Sequence, residues 1–142
     1  MTIRTFADSN PGKYISVIFE IFLAVKPIYD RQSEECKGYI AAVFDDFLFL
    51  GTSIKLFWSG KRSKKSLQTG DKTSQHCYPR KLSTARLFEN LPDTLDDFQK
   101  MFIEALKFDY TTSAENIALK PYQKAKTFIS PEDAYTKAGI EF

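Results

Sequence analysis

Residues 33–51 read SEECKGYIAAVFDDFLFLG, and their spacing decides the class of fold. Ser33 followed by Glu34 and Glu35 marks a helix N-terminus. A serine oxygen accepts from a free backbone N–H there, and the acids suit the positive end of the helix dipole. Cys36, Ile40, Val43, Phe44, Phe47 and Leu48 then recur at intervals of three and four, which gathers them on one side of a helix. Lys37, Asp45 and Asp46 lie away from that stripe, and Gly51 supplies the stop. Gly38 is a weak helix former in the first turns.

Working toward the N-terminus, Asn10-Pro11 offers a cap and a first-position proline. Tyr14, Ile18, Ile21, Phe22 and Val25 fall on one helical face, and Ile15, Phe19 and Leu23 fill much of the rest. The pattern predicts a helix buried nearly all round and ended by Lys26-Pro27. A run this apolar also fits a buried strand, so residues 14–25 stay open between the two.

Toward the C-terminus, Ile54, Leu56 and Trp58 alternate with Ser53, Lys55 and Phe57 as in a short strand. Ile54 and Trp58 are also four apart, as in a helix. From Ser59 to Lys81 the apolar residues are Leu67, Cys77 and Tyr78, so the stretch reads as a long loop or hairpin. Ser83 opens a helix to about Asn90, closed by Leu91-Pro92. Thr94 with Asp97 resembles a capping box, and Leu95, Phe98, Met101, Phe102, Ala105 and Leu106 form an amphipathic stripe behind it. Thr112 or Ser113 starts another turn or two, which Pro121 interrupts. Ser130-Pro131-Glu132-Asp133 opens a last helix, and Gly139 closes it. The expected fold is mainly α: one domain over 1–142, a compact bundle of about five helices with a long basic loop or small β-hairpin near 53–81. An α+β fold is the alternative.

Composition agrees with that expectation. The 13 Phe, 7 Tyr and single Trp supply ample core, while only three valines (Val17, Val25 and Val43) and 6 glycines argue against a sandwich or barrel. No internal repeat is present. Cys36 and Cys77 stand far apart and read as free thiols in a reducing compartment. The apolar run 14–25 is broken by Glu20 and lacks a small-residue cleavage site, and the window 39–58 carries Asp45, Asp46 and Lys55. Neither suits export or a membrane span, so the expected location is cytoplasmic, with no membrane partner.

Charge is the strongest functional signal. Between Lys55 and Arg86 nine basic residues face one acid, Asp71, a balance of +8; the whole chain is +2, so the remainder carries −6. Such asymmetry points to a polyanionic partner, nucleic acid or an acidic protein surface. The candidate contact residues are Lys61, Arg62, Lys64, Lys65, Lys72, His76, Tyr78, Arg80 and Lys81, with Trp58, His76 and Tyr78 available for base stacking if exposed. Lysine-rich loops also serve solubility alone, and lysine fixes no bidentate geometry.

Catalytic constellations are incomplete. Gly60-Lys61-Arg62-Ser63 lacks the phosphate-loop glycine five residues earlier. His76 is the only histidine, its neighbour Cys77 is poorly placed as its nucleophile, and a zinc site from His76, Cys77 and Cys36 lacks a ligand. Asp93, Asp97 and Glu104 share a helix edge with Lys100, the pattern of a solvated face. No metal or cofactor is expected. Phe44, Phe47, Phe98 and Phe102 at helical spacing read as core; any that are exposed would instead mark a protein interface. The sequence reading is a non-enzymatic binding or regulatory protein that engages a polyanionic partner, nucleic acid or a nucleic-acid-bound complex, through the basic segment. A small stoichiometric inhibitor or immunity-type protein is the alternative, and an enzyme using His76 and Cys77 ranks last.

Overall fold

The structure, a computed structural model, describes residues 13–49, 57–124 and 126–142. The segment read first is helix α2, Glu34–Phe49, which follows α1, Ile15–Asp30. Ser33 caps α2 as expected, its oxygen accepting from the N–H of Cys36 at 3.3 Å. Asn10-Pro11, Gly51 and residues 53–56 lie outside the described residues, as does the side chain of Phe47.

Two expectations for α1 need correction. Pro27 does not end it but sits inside its last turns. An internal proline costs about 3 kcal/mol, and the packing of Tyr29 beyond it offsets that loss. Tyr29 is 1% exposed and stacks on Phe88 with ring centroids 4.7 Å apart, while its phenol donates to Glu89. Burial, reinforced by Glu89, pushes that phenol up to about 12. Nor is α1 buried all round. It packs on α2 and two later helices from one side only, leaving Val17, Leu23 and Ile28 exposed.

Those later helices are α4, Arg80–Glu89, and α5, Leu95–Leu106. α4 starts three residues before Ser83, with Pro79 in the cap position; Ser83 is a buried residue of its first turn. α5 is capped by Thr94, which accepts from Asp97 as its sequence implies. Phenylalanines join the four helices. Phe22 stacks on Phe88 at 4.4 Å and meets Phe98 at 5.5 Å, and Phe98 continues to Phe19 at 4.9 Å. Phe98 and Phe102 are wholly buried and Phe44 packs against that cluster, so these rings are core.

The basic stretch is neither loop nor hairpin. It forms strand β1 (Trp58–Arg62), helix α3 (Lys64–Thr69) and strand β2 (Thr73–His76). The two strands do not pair with each other: β3, Phe108–Thr111, lies between them, parallel to β1 and antiparallel to β2. Strands flanking a third stand about 9.6 Å apart, and six helical residues span about 9 Å, which a tight turn would not. Ser63 caps α3 and Gly70, at φ +80°, ends it in the left-handed region.

Helix α6 (Ser113–Leu119), a short 3₁₀ turn (Lys120–Tyr122) and α7 (Pro131–Ala138) complete the chain, with the caps at Thr112, Ser130 and Gly139 foreseen above. Leu119, Ala134, Tyr135 and Ile140 make a second small core beside the main one. The result is mainly α, with seven α-helices and one three-stranded sheet among the described residues. No helix among them is long and apolar enough to cross a membrane.

Candidate functional site

The scaffold of the basic segment is β3, whose four residues are all buried. Two acids fasten the neighbouring elements around it. Asp109, 2% exposed, accepts hydrogen bonds from the hydroxyl of Ser59 on β1, from the thiol of Cys77 at 3.3 Å and from the phenol of Tyr135 on α7 at 2.5 Å. Glu115, 6% exposed, accepts from the Ser63 hydroxyl at 2.7 Å while closing the capping box with Thr112. The caps of α3 and α6 are thereby one network. A buried carboxylate with several donors is costly to disturb, because each partner is left unpaired.

On this base the cations of β1, α3 and the turn into β2 are displayed. Lys61, Lys64, Lys65 and Lys72 are exposed. Lys64 makes a 3.3 Å pair with Glu141 in which both side chains are largely in solvent, a contact of little strength. Lys72 places its ammonium 4.2 Å from the Tyr110 ring centroid. Trp58, 45% exposed, tilts against the same ring at 5.4 Å and donates its indole N–H to the Lys61 carbonyl. Trp58 and Lys72 thus flank Tyr110, while Lys61 lines a cleft of about 530 Å³ over Asp109, Cys77 and Tyr135. Asp71, the acid of this block, is turned to the start of α6, where the Ser113 N–H donates to it at 2.8 Å and holds its carboxyl below the usual range. Residues 58–76 carry five cations against that one acid.

The other candidates are placed differently. Arg62 folds onto α3, donating from Nε to Ser66 Oγ at 2.9 Å and from its terminal nitrogen to the Ser66 carbonyl at 3.0 Å. Arg80 pairs with Asp45 at 3.3 Å and Asp46 at 3.4 Å, joining α4 to α2. Tyr78 lies between Phe128 and the Arg86 guanidinium. His76 is half-buried, and burial, aided by nearby Arg80, lowers its pKa. Lys81 is exposed and lines a separate cleft with His76, Arg80 and Lys124. The nine residues therefore divide into four exposed lysines on 58–72, with the inward-turned Arg62 between them, and a second group of four on 76–81 that is mostly engaged in packing.

Chemistry in the cleft over Asp109 is quiet. Burial first, then the adjacent Asp109, pushes the Cys77 thiol up to about 12, and the same causes raise the Tyr135 phenol. Both are protonated at neutral pH and serve as donors to Asp109. Cys36 is an exposed free thiol. Among the described residues no group of His, Cys, Asp and Glu is placed to hold a metal ion.

Sequence reading missed Asp109, Tyr110 and Tyr135. Phe108 and Tyr110 alternating with Asp109 and Thr111 was the available strand signal. Compared with protein-family models, with curated proteins and with solved structures, the chain gives no match.

Proposed function

We propose that this protein is a non-enzymatic binding protein whose β1–α3–β2 unit engages a polyanion, with single-stranded nucleic acid the favoured partner. The observation that carries the reading is the fate of Asp71. The one acid of the unit is committed to the start of α6, while Lys61, Lys65 and Lys72 stay exposed. The half-exposed Trp58 lies beside Lys61 and, across Tyr110, Lys72. Cations for the backbone beside an aromatic face for a base are the two components of sequence-tolerant single-strand binding. The sheet and the two carboxylate networks hold them in place, so little ordering is needed on binding.

Trp58 is the only tryptophan, so its fluorescence reports this surface alone. Titration with a single-stranded oligonucleotide at low salt should quench it, and affinity should fall steeply as salt rises. Trp58→Ala should weaken binding by about 1–3 kcal/mol, the usual worth of one stacked base. Undetectable binding to mixed DNA and RNA at low salt ends the nucleic-acid reading.

One feature of the same surface favours a second reading, an acidic protein partner of the inhibitor or immunity type. Leu67 is 64% exposed on α3 beside Lys64 and Lys65, and an apolar side chain amid cations suits a protein surface better than a phosphate backbone. That reading predicts a nuclease-insensitive one-to-one complex weakened by Leu67→Ser.

A further inference from the structure

Helix α1 carries an apolar line that the core does not use. Tyr14, Val17, Ile21, Ala24 and Ile28 follow one another at intervals of three, four, three and four. Arg31, the C-cap residue, keeps helical backbone and continues the series. Tyr14, Val17 and Ile28 are 61%, 52% and 47% exposed, Ala24 is exposed and Ile21 is half-buried. The residues that α1 gives to the core are Ile15, Ile18, Phe19, Phe22 and Tyr29, a different face of the same helix. A line that alternates threes and fours is the seam of a helix pair. It stays in contact with a second helix of the same repeat, whose side chains enter between its own.

We infer that this seam pairs with the same seam of a second copy of the chain, the two α1 helices running antiparallel about a twofold axis. In such a pair the first seam position of one helix faces the second seam position of the other. The first positions are Tyr14, Ile21 and Ile28, and the second are Val17, Ala24 and Arg31. Matching them sets Val17 on Ile28 of the partner subunit, Ile21 on Ala24 of the partner subunit and Tyr14 beside Arg31 of the partner subunit. The same register lays Ile15 opposite Asp30 of the partner subunit, so the seam is centred on α1 and uses its whole length. Sizes and charges agree with it. The small Ala24 receives the larger Ile21, and a guanidinium beside a phenol ring is attracted to it. Lys13 is carried toward Asp30 of the partner subunit, whereas parallel helices would set Lys13 against Lys13 and Arg31 against Arg31. A twofold axis supplies all these matches at once, which an unrelated helix would have to meet one by one. One helix face offers fewer residues than the roughly 20 a side of a standard interface, so the dimer exchanges with monomer. The seam is on a different element from the β1–α3–β2 unit, and its pairing does not depend on a polyanion.

Sedimentation equilibrium of the full chain, from micromolar to millimolar concentration, should show monomer and dimer and nothing larger. Val17→Asp puts a carboxylate into the seam and should raise the dissociation constant about tenfold or more. Leu23→Asp, at a residue of the same helix that is 44% exposed but off the seam, should leave it unchanged. Both positions are exposed in the monomer, so the melting temperature of the dilute protein should not distinguish the two variants. Disulfide trapping reads the register. In a Cys36→Ser background, Val17→Cys and Ile28→Cys together should give a covalent dimer on mild oxidation, and either substitution alone should not. A monomer at every concentration overturns the inference and leaves the seam to a helix of another protein. A dimer weakened equally by Leu23→Asp and Val17→Asp overturns it as well, and so does a covalent dimer from either cysteine substitution alone.

Discussion

Residues 58–72 and 76–86 have similar cation density in the sequence, but their charges meet different ends. In the first, Lys61, Lys64, Lys65 and Lys72 remain exposed. In the second, Arg80 is folded onto Asp45 and Asp46 and Arg86 onto the Tyr78 ring. The boundary follows residue type more closely than position, since Arg62, inside the first region, is also turned inward onto Ser66. A planar guanidinium with fixed donors and a weakly hydrated face is readily held in packing, whereas an ammonium on a flexible stem keeps its water. Counting both as +1 conceals that the arginines mostly fasten the fold while the lysines stay in solvent.

The most drastic way to break that contrast is to remove the base on which the lysines stand. Asp109→Ala leaves Ser59, Cys77 and Tyr135 without their shared acceptor and removes the side-chain ties of β1 and α7 to β3. The expected cost is about 3 kcal/mol, read as a melting temperature lowered by about 10 °C. Asp109→Asn, which keeps one acceptor oxygen, should lose less. A melt within about 2 °C of the parent for Asp109→Ala would show that the hub holds nothing.

Next in size is the binding side of the contrast. Neutralising Lys61, Lys65 and Lys72 together to Gln should leave the melt unchanged. The slope of log affinity against log salt for a single strand should fall by about 2, because each phosphate contact contributes about 0.7. Neutralising Arg62, Arg80 and Arg86 instead should lower stability and change the slope far less. Equal slopes for the two triple variants would dissolve the distinction between the regions.

The same pair of regions shows what a sequence reading reaches. Helices α2, α5, α6 and α7 were legible because caps and stripes are local: Ser33, Thr94, Thr112 and Ser130 each cap a helix by a bond to a residue three positions on. The sheet was not, because its pairing is long-range. Nothing near Trp58 announces Phe108, fifty residues later, and Asp109 is a residue that strands usually avoid. The lysine surface was foreseen as charge, but its sorting from the arginines depends on Asp45, which only the fold brings to Arg80, and on the turns that set Ser66 beside Arg62 and Tyr78 beside Arg86. Pro27 misled for a related reason: the local rule ends a helix there, and the distant partner Phe88 holds Tyr29 in it.

A smaller effect tests the structural group. Arg80→Met removes the cation from Asp45, whose side chain is only 16% exposed, and should cost about 1 kcal/mol near pH 7. Burial already raises the Asp45 pKa and Arg80 opposes that rise, so the variant should raise it further. A carboxyl whose folded pKa is raised loses stability as pH climbs through that value. The deficit of Arg80→Met should therefore be smaller near pH 4 than at pH 7. A deficit equal at the two pH values would mean that Asp45 does not sense Arg80.

The smallest effect concerns His76, the first residue of the second group, at the end of β2. Burial chiefly, and Arg80 secondarily, depress its pKa from the ordinary value of about 6.5. As pH falls below that value the unfolded chain takes up the proton before the folded one, so stability is lost toward acid. Charged groups around it include Asp45, Arg80, Lys81 and Lys124, which line the adjoining cleft. Replacing His76 by Gln should flatten the fall in melting temperature between pH 7 and pH 5. Arg80→Met should flatten it partially, because the repulsion from the guanidinium is gone while the burial remains. An unchanged slope in His76→Gln would move the acid sensitivity elsewhere.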